Sequence, residues 1–110
     1  MTRGDDIREC VRVGARASTE LITVHVAVDG TEQPPRVAFA VGKGVGGSVV
    51  RNRVQRRLRH QVLASLGQLP GGSRIVVRAS PAAAGASSLE LGRDLGQALA
   101  RAARKAVGGR

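Results

Sequence analysis

Four apolar side chains, Val50, Val54, Leu58 and Val62, return every fourth residue between Val49 and Leu66. Between them stand Arg51, Asn52, Arg53, Gln55, Arg56, Arg57, Arg59 and His60. That spacing predicts a helix with one apolar side, which must pack on another layer. At about 100° per residue, Arg53, Arg56, Arg57 and His60 gather within roughly one quadrant opposite that side, with Arg51 and Arg59 at its seam. No other segment is as amphipathic or as basic.

The flanks of this helix predict its partner. Ile22, Val24, Val26 and Val28 alternate with Thr23, His25 and Ala27, the period of a half-buried strand over Leu21–Val28. Val37, Phe39 and Val41 repeat the pattern over Arg36–Val41, and Ile75–Val77 reads as a short buried strand. Asp29-Gly30, Pro34-Pro35 and Pro70-Gly71-Gly72 punctuate turns. Asp5–Val13 reads as a short opening helix stopped by Gly14, with Ile7, Cys10 and Val11 on one side. Ser48 is placed to cap the basic helix. Ser80–Ser87 reads as a loop of small residues. Ser87 and Glu90 have capping-box spacing and open a last helix with Leu91, Leu95, Leu99 and Ala102 inward, ended by Gly108. The expected fold is α+β, an α/β sandwich with helices on one side of a small central sheet. Its order is α-β-β-(β)-α-β-α, the extra short strand lying in the first loop, and the basic helix crosses between strands. At 110 residues the chain is expected to form one domain, 1–110.

Charge narrows the function. The chain carries 18 Lys and Arg against 8 Asp and Glu, a net +10, and all but two of those cations are Arg. No acid occurs from Gln33 to Leu89, a stretch holding Arg36, Lys43, the helix arginines, Arg74 and Arg78. A single-sign block inside a foldable domain reads as a face for a polyanion, most simply nucleic acid. Phe39 is the only aromatic, which argues against a sheet of stacking aromatics. Cys10 stands alone, excluding an internal disulfide or a cysteine-based zinc site. No apolar run approaches a membrane span, so no membrane is expected, and the location expected is the cytoplasm. The loop Gly42–Ser48 is glycine-rich but lacks phosphate-loop spacing. No triad, carboxylate pair or metal cluster is visible, so neither catalytic residues nor metal ligands are assigned. His25 and His60 lie far apart without evident partners.

One string is more specific. Lys43-Gly44-Val45-Gly46, followed by Ser48-Val49-Val50-Arg51-Asn52-Arg53-Val54-Gln55-Arg56-Arg57-Leu58-Arg59, closely resembles the signature of the bacterial ribonuclease P protein component family. The opening helix with Ile7, Val11 and Gly14 matches that family's first helix, and Arg36–Val41 and Ile75–Val77 match the strands around the motif. Gly44, Ser48 and Gln55 depart from the usual Lys, Ala and Lys or Arg. Ile7 and Val11 stand where aromatics are common.

The resemblance implies a protein cofactor of a ribonucleoprotein endonuclease that removes the 5′ leader of precursor tRNA. Hydrolysis would be carried by the RNA subunit, which would also hold most of the Mg²⁺. Lys43, Arg51, Asn52, Arg53, Arg56, Arg57 and Arg59 would then bind the catalytic RNA. Ile7, Val11, His25 and Phe39 would line the leader cleft, with weaker stacking than a cleft of aromatics. Precursor tRNA is the implied second partner, and DNA is not expected. A helix-turn-helix is disfavoured because no helix lies immediately before the basic one. A non-catalytic basic RNA-binding protein, ribosomal or chaperone-like, is the alternative.

Overall fold

The computed structural model describes residues 10, 12–28, 32–65, 69 and 71–108. Ile7, Val11, the Asp29-Gly30 turn and Pro70 lie outside the described residues. Of the expected opening helix, Cys10, Arg12 and Val13 are helical. Strand β1 (Ala15–Ser18) follows, then β2 (Ile22–Val28), β3 (Arg36–Ala40), helix α1 (Ser48–Leu63), β4 (Ser73–Ala79), a 3-10 turn over Pro81–Gly85 and helix α2 (Ser88–Gly108). The sheet order is β1-β2-β4-β3, with β3 and β4 parallel and the other pairs antiparallel. A parallel pair needs a long crossover, and α1 supplies it.

Both helices lay their apolar sides on one face of the sheet. Ile22, Val24, Val26, Ile75 and Val77 meet Val54, Leu58 and Val62 of α1 and Leu91, Leu95, Leu99 and Ala102 of α2 in one buried cluster. Val45, in the glycine-rich loop, is buried there too. The capping box forms as its spacing requires: Glu90 N donates to Ser87 Oγ at 3.1 Å, and Ser87 N donates to Glu90 Oε1 at 3.0 Å.

Several boundaries differ from the sequence expectation. Helix α1 ends at Leu63, not Leu66, and Ser48 is its first residue rather than its cap. The cap is Gly47, extended at φ −70°, without a side-chain hydrogen bond. Strand β4 runs two residues further at each end than Ile75–Val77, because pairing with β2 and β3 recruits Ser73, Arg74, Arg78 and Ala79. The small-residue loop contains the 3-10 turn. Strand β2 is not half-buried: its second face holds His25 and Ala27, both buried, with Cys10 and Val76 packed beside Ala27.

That second face explains Gly14. Its N–H donates to Cys10 O at 2.8 Å as the helical turn closes onto the sheet. A Cβ there would press into Cys10 O and stand 3.0 Å from Val26 O. Backbone cannot swing aside as a side chain can, so Gly14→Ala is expected to lose about 1–3 kcal/mol, as overpacked sites do. A thermal melt lowered by roughly 4–8 °C per kcal/mol checks this.

Candidate nucleic-acid interface

Burying Val54, Leu58 and Val62 leaves the opposite side of α1 open. Asn52, Arg53, Arg56, Arg59 and His60 are exposed on it, and Gln55 is half-buried. Asn52, Gln55, Arg56 and Arg59 line a shallow groove along the helix. They are spaced three and four residues apart, so they share one face. Arg59 is steadied by the ring of Phe39, its guanidinium carbon 6.0 Å from the ring centroid. The first turn of α1 contains no acid and its cap makes no side-chain bond, so its backbone donors add positive potential at that end. Lys43 is exposed in the turn just before it.

Two expected members of this face sit differently. Arg57 is half-buried, and its Nη1 donates to Ala86 O at 2.8 Å, tying α1 to the end of the 3-10 turn. Arg51 is half-buried on the apolar flank, with a buried Nε that has no partner among the described residues. Arg53 reaches Ala84 O at 3.4 Å yet stays exposed. The open set is therefore Lys43, Asn52, Arg53, Arg56 and Arg59, with Arg57 anchored below and Arg51 half-buried.

The sequence reading missed two apolar members. Val49 is 78% exposed and Leu63 is 64% exposed. With Arg56 midway they are spaced seven apart, which puts all three on one line of the helix. Exposed valine and leucine at both ends of a cationic groove suit contact with sugar or base edges. The signal was available in the 49, 56, 63 spacing.

The second basic surface is the sheet face away from the two long helices. Register places Arg16 beside His25, His25 beside Val76, and Thr23 beside Arg78. Arg74 and Arg36 pair across β4 and β3 on the same face. His25 is buried there, and neither ring nitrogen has a partner among the described residues. Burial holds its pKa below the ordinary value of 6.5, helped by the charges of Arg78 and Arg16. Phe39 pairs with Val77, whereas His25 pairs with Val76, so these two lie on opposite faces and do not share a cleft. Arg16, Arg74 and Arg78, not Phe39, share the face of His25. Reading β4 at its full length would have put Arg74 and Arg78 in phase with Val76.

A pH dependence follows. The folded chain holds the His25 proton less tightly than the unfolded chain, which binds it near pH 6.5. The contribution of His25 to stability is thus present above that pH and is lost as pH falls from there toward the lowered folded value. Melting temperature should drop between pH 7.5 and 5.5, and His25→Leu should flatten that drop. Equal slopes in both proteins would contradict the assignment.

Comparison with known proteins shows the family and the fold. The Ribonuclease P family model matches residues 1–103. The ribonuclease P protein component of Acidothermus cellulolyticus is 45% identical over 102 residues, covering 92% of this chain and 85% of that protein. The one from a Mycobacterium species is 44% identical over 103 residues, covering 93% and 87%. Among solved structures, the RNase P protein of Staphylococcus aureus superposes with a TM-score of 0.83 at 20% identity, covering 93% of each chain. That of Thermotoga maritima, in complex with 1-(4-fluorophenyl)-2-thiourea, gives 0.79 at 19% identity, covering 94% of this chain and 97% of that one.

Proposed function

The chain belongs to the ribonuclease P protein family, the protein component of the ribonucleoprotein endoribonuclease that processes tRNA 5′ ends, and from that premise we propose that the open face of α1 is what docks on the RNA subunit. The observation that carries the reading is the division of labour around α1. Its apolar side packs on the core, Val54, Leu58 and Val62 buried and Val50 half-buried, while Asn52, Arg53, Arg56 and Arg59 contribute nothing to that core and lie in an acid-free stretch. Lys43 and the helix N-terminus extend the face, and Arg51 and Arg57 set its base. Arginine suits the task because its planar fork meets phosphate oxygens two at a time.

The second face takes the 5′ leader of precursor tRNA. Arg16, Arg74 and Arg78 surround His25 there, and Ile7 and Val11 belong to the opening segment outside the described residues. With no aromatic on this face, the leader is held by its phosphates and read with little base preference. Stacking of a base on an aromatic contributes about 1–3 kcal/mol, and this surface forgoes it. Residues 1–110 act as one RNA-binding domain.

The family's reaction depends on metal ions. Among the described residues no three His, Cys, Asp or Glu side chains are grouped to hold one. We assign the ion, Mg²⁺, to the RNA subunit, which performs the hydrolysis, and give this chain the work of binding and positioning. No helix of the described residues is long and apolar enough to cross a membrane. The cytoplasm is the compartment proposed, with RNA and not DNA as the partner.

The test is the salt dependence of binding to the RNA subunit. The share of the α1 face alone, about five phosphate contacts at ~0.7–0.9 each, is a log–log slope of roughly −3 to −5. A slope near zero between moderate and high salt would contradict electrostatic docking.

A further inference from the structure

We infer that the C-terminal half of α2, with the outer edge of β1, is a second docking surface for phosphate backbone of the RNA subunit, separate from the α1 face and independent of that reading. The charges on α2 are segregated. Arg93 lies among Glu90 and Asp94, whereas Arg101, Arg104 and Lys105 follow with no acid after Asp94. On a helix, Gln97, Arg101 and Arg104 recur at spacings of three and four and share a face. Arg101, Arg104 and Lys105 are all exposed.

Two of these cations are already held in place. Arg101 Nη2 donates to Ser18 O at 3.2 Å and Lys105 Nζ donates to Arg16 O at 3.0 Å. Each uses a carbonyl of edge strand β1, fixing the stem and leaving other N–H donors free to face outward. Of five donors on Arg101 and three on Lys105, one each goes to β1. Cations fixed before binding lose less side-chain freedom when a phosphate arrives.

The helix surface beside them is low. Gly96, Ala100 and Ala103 border the cationic side chains. Among the described residues, nothing lies within 4 Å of the place where a Cβ on Gly96 would stand. Glycine inside a helix weakens it, so an internal reason is expected, as at Gly92, where a Cβ would strike Gln61. Among the described residues Gly96 has no such reason, and the low surface there leaves room for a backbone approaching from outside. The partner is RNA because the patch is purely cationic, and arginine fork chemistry fits phosphate. Strands β1 and β3 are the two opposite sheet edges. The α2 patch is tied to β1 and Arg59 of the α1 face to Phe39 of β3, so the chain clamps two different RNA segments.

The test uses the full chain carrying Arg101→Gln, Arg104→Gln and Lys105→Gln together. Glutamine retains a donor for the Ser18 and Arg16 carbonyls, so the fold is kept; Gly96→Glu is a second variant that adds an acid at the low point without weakening the helix. With the RNA subunit as probe, the triple variant should flatten the log–log salt slope by about 2–3 and lower affinity roughly tenfold at moderate salt. Gly96→Glu should lower affinity in the same direction. Hydroxyl-radical protection should be lost over an RNA segment that Arg53→Ala with Arg56→Ala leaves protected. An unchanged slope and footprint in both variants would overturn the inference. So would loss of the same segment as in the α1 variant, or an effect seen only when precursor tRNA is added.

Discussion

Replacing Arg53 and Arg56 together with alanine is expected to weaken binding to the RNA subunit at least tenfold while leaving the fold intact. Both side chains are exposed, and neither belongs to the buried cluster. Arg56 lies in the groove with Asn52, Gln55 and Arg59, and the hydrogen bond of Arg53 to Ala84 O, at 3.4 Å, is long. Surface changes of this kind alter stability by no more than about 0.5 kcal/mol, a shift of only a few degrees in the melt. A hydrogen bond to a charged group contributes about 1.5–3 kcal/mol, and 1.4 kcal/mol is already tenfold in affinity. Thermal melts and RNA affinity measured on the same protein separate the two effects. A variant that melts early but binds normally would reverse the assignment of the α1 faces.

Leu58→Ala should act in the opposite order. Leu58 is fully buried, in one cluster with Val54, Val62, Leu91 and Leu95. Truncating a buried leucine costs about 2–5 kcal/mol, from lost transfer energy and the cavity left behind. Small domains hold only about 5–15 kcal/mol in total, so this one change removes a large share. At roughly 4–8 °C per kcal/mol, the melting temperature should fall by at least about 8 °C. RNA affinity, measured at a temperature where the variant is still folded, should stay close to that of the parent chain. A large affinity loss in the folded variant would mean that the apolar side of α1 shapes the docking face more directly than the geometry implies.

What could be read from the sequence, and what could not, divides along physical lines. The α1 stripe and the Ser87–Glu90 capping box are local, set by residues three and four apart, and both are present. Strand β1 is short and made of Ala, Arg, Ala and Ser, so nothing in its own pattern demands a strand; it exists because β2 offers an edge. The burial of His25 depends on what covers the second face of the sheet, a tertiary fact outside any strand period. The placement of Phe39 turned on register. Alternation fixes which residues of β3 share a face, but not which face of β2 they join. Arg57 looked like its neighbours on the helix wheel until the 3-10 turn brought the Ala86 carbonyl against it.

The central claim is that the open α1 face carries this chain onto its RNA partner. The most direct measurement is leader removal from a precursor tRNA by the RNA subunit at low Mg²⁺, followed as a function of protein concentration. The parent chain should stimulate cleavage at low concentration. The Arg53→Ala, Arg56→Ala chain should need at least about tenfold more protein to reach the same rate. Superimposable concentration curves for the two folded proteins would contradict the account and place the docking surface elsewhere.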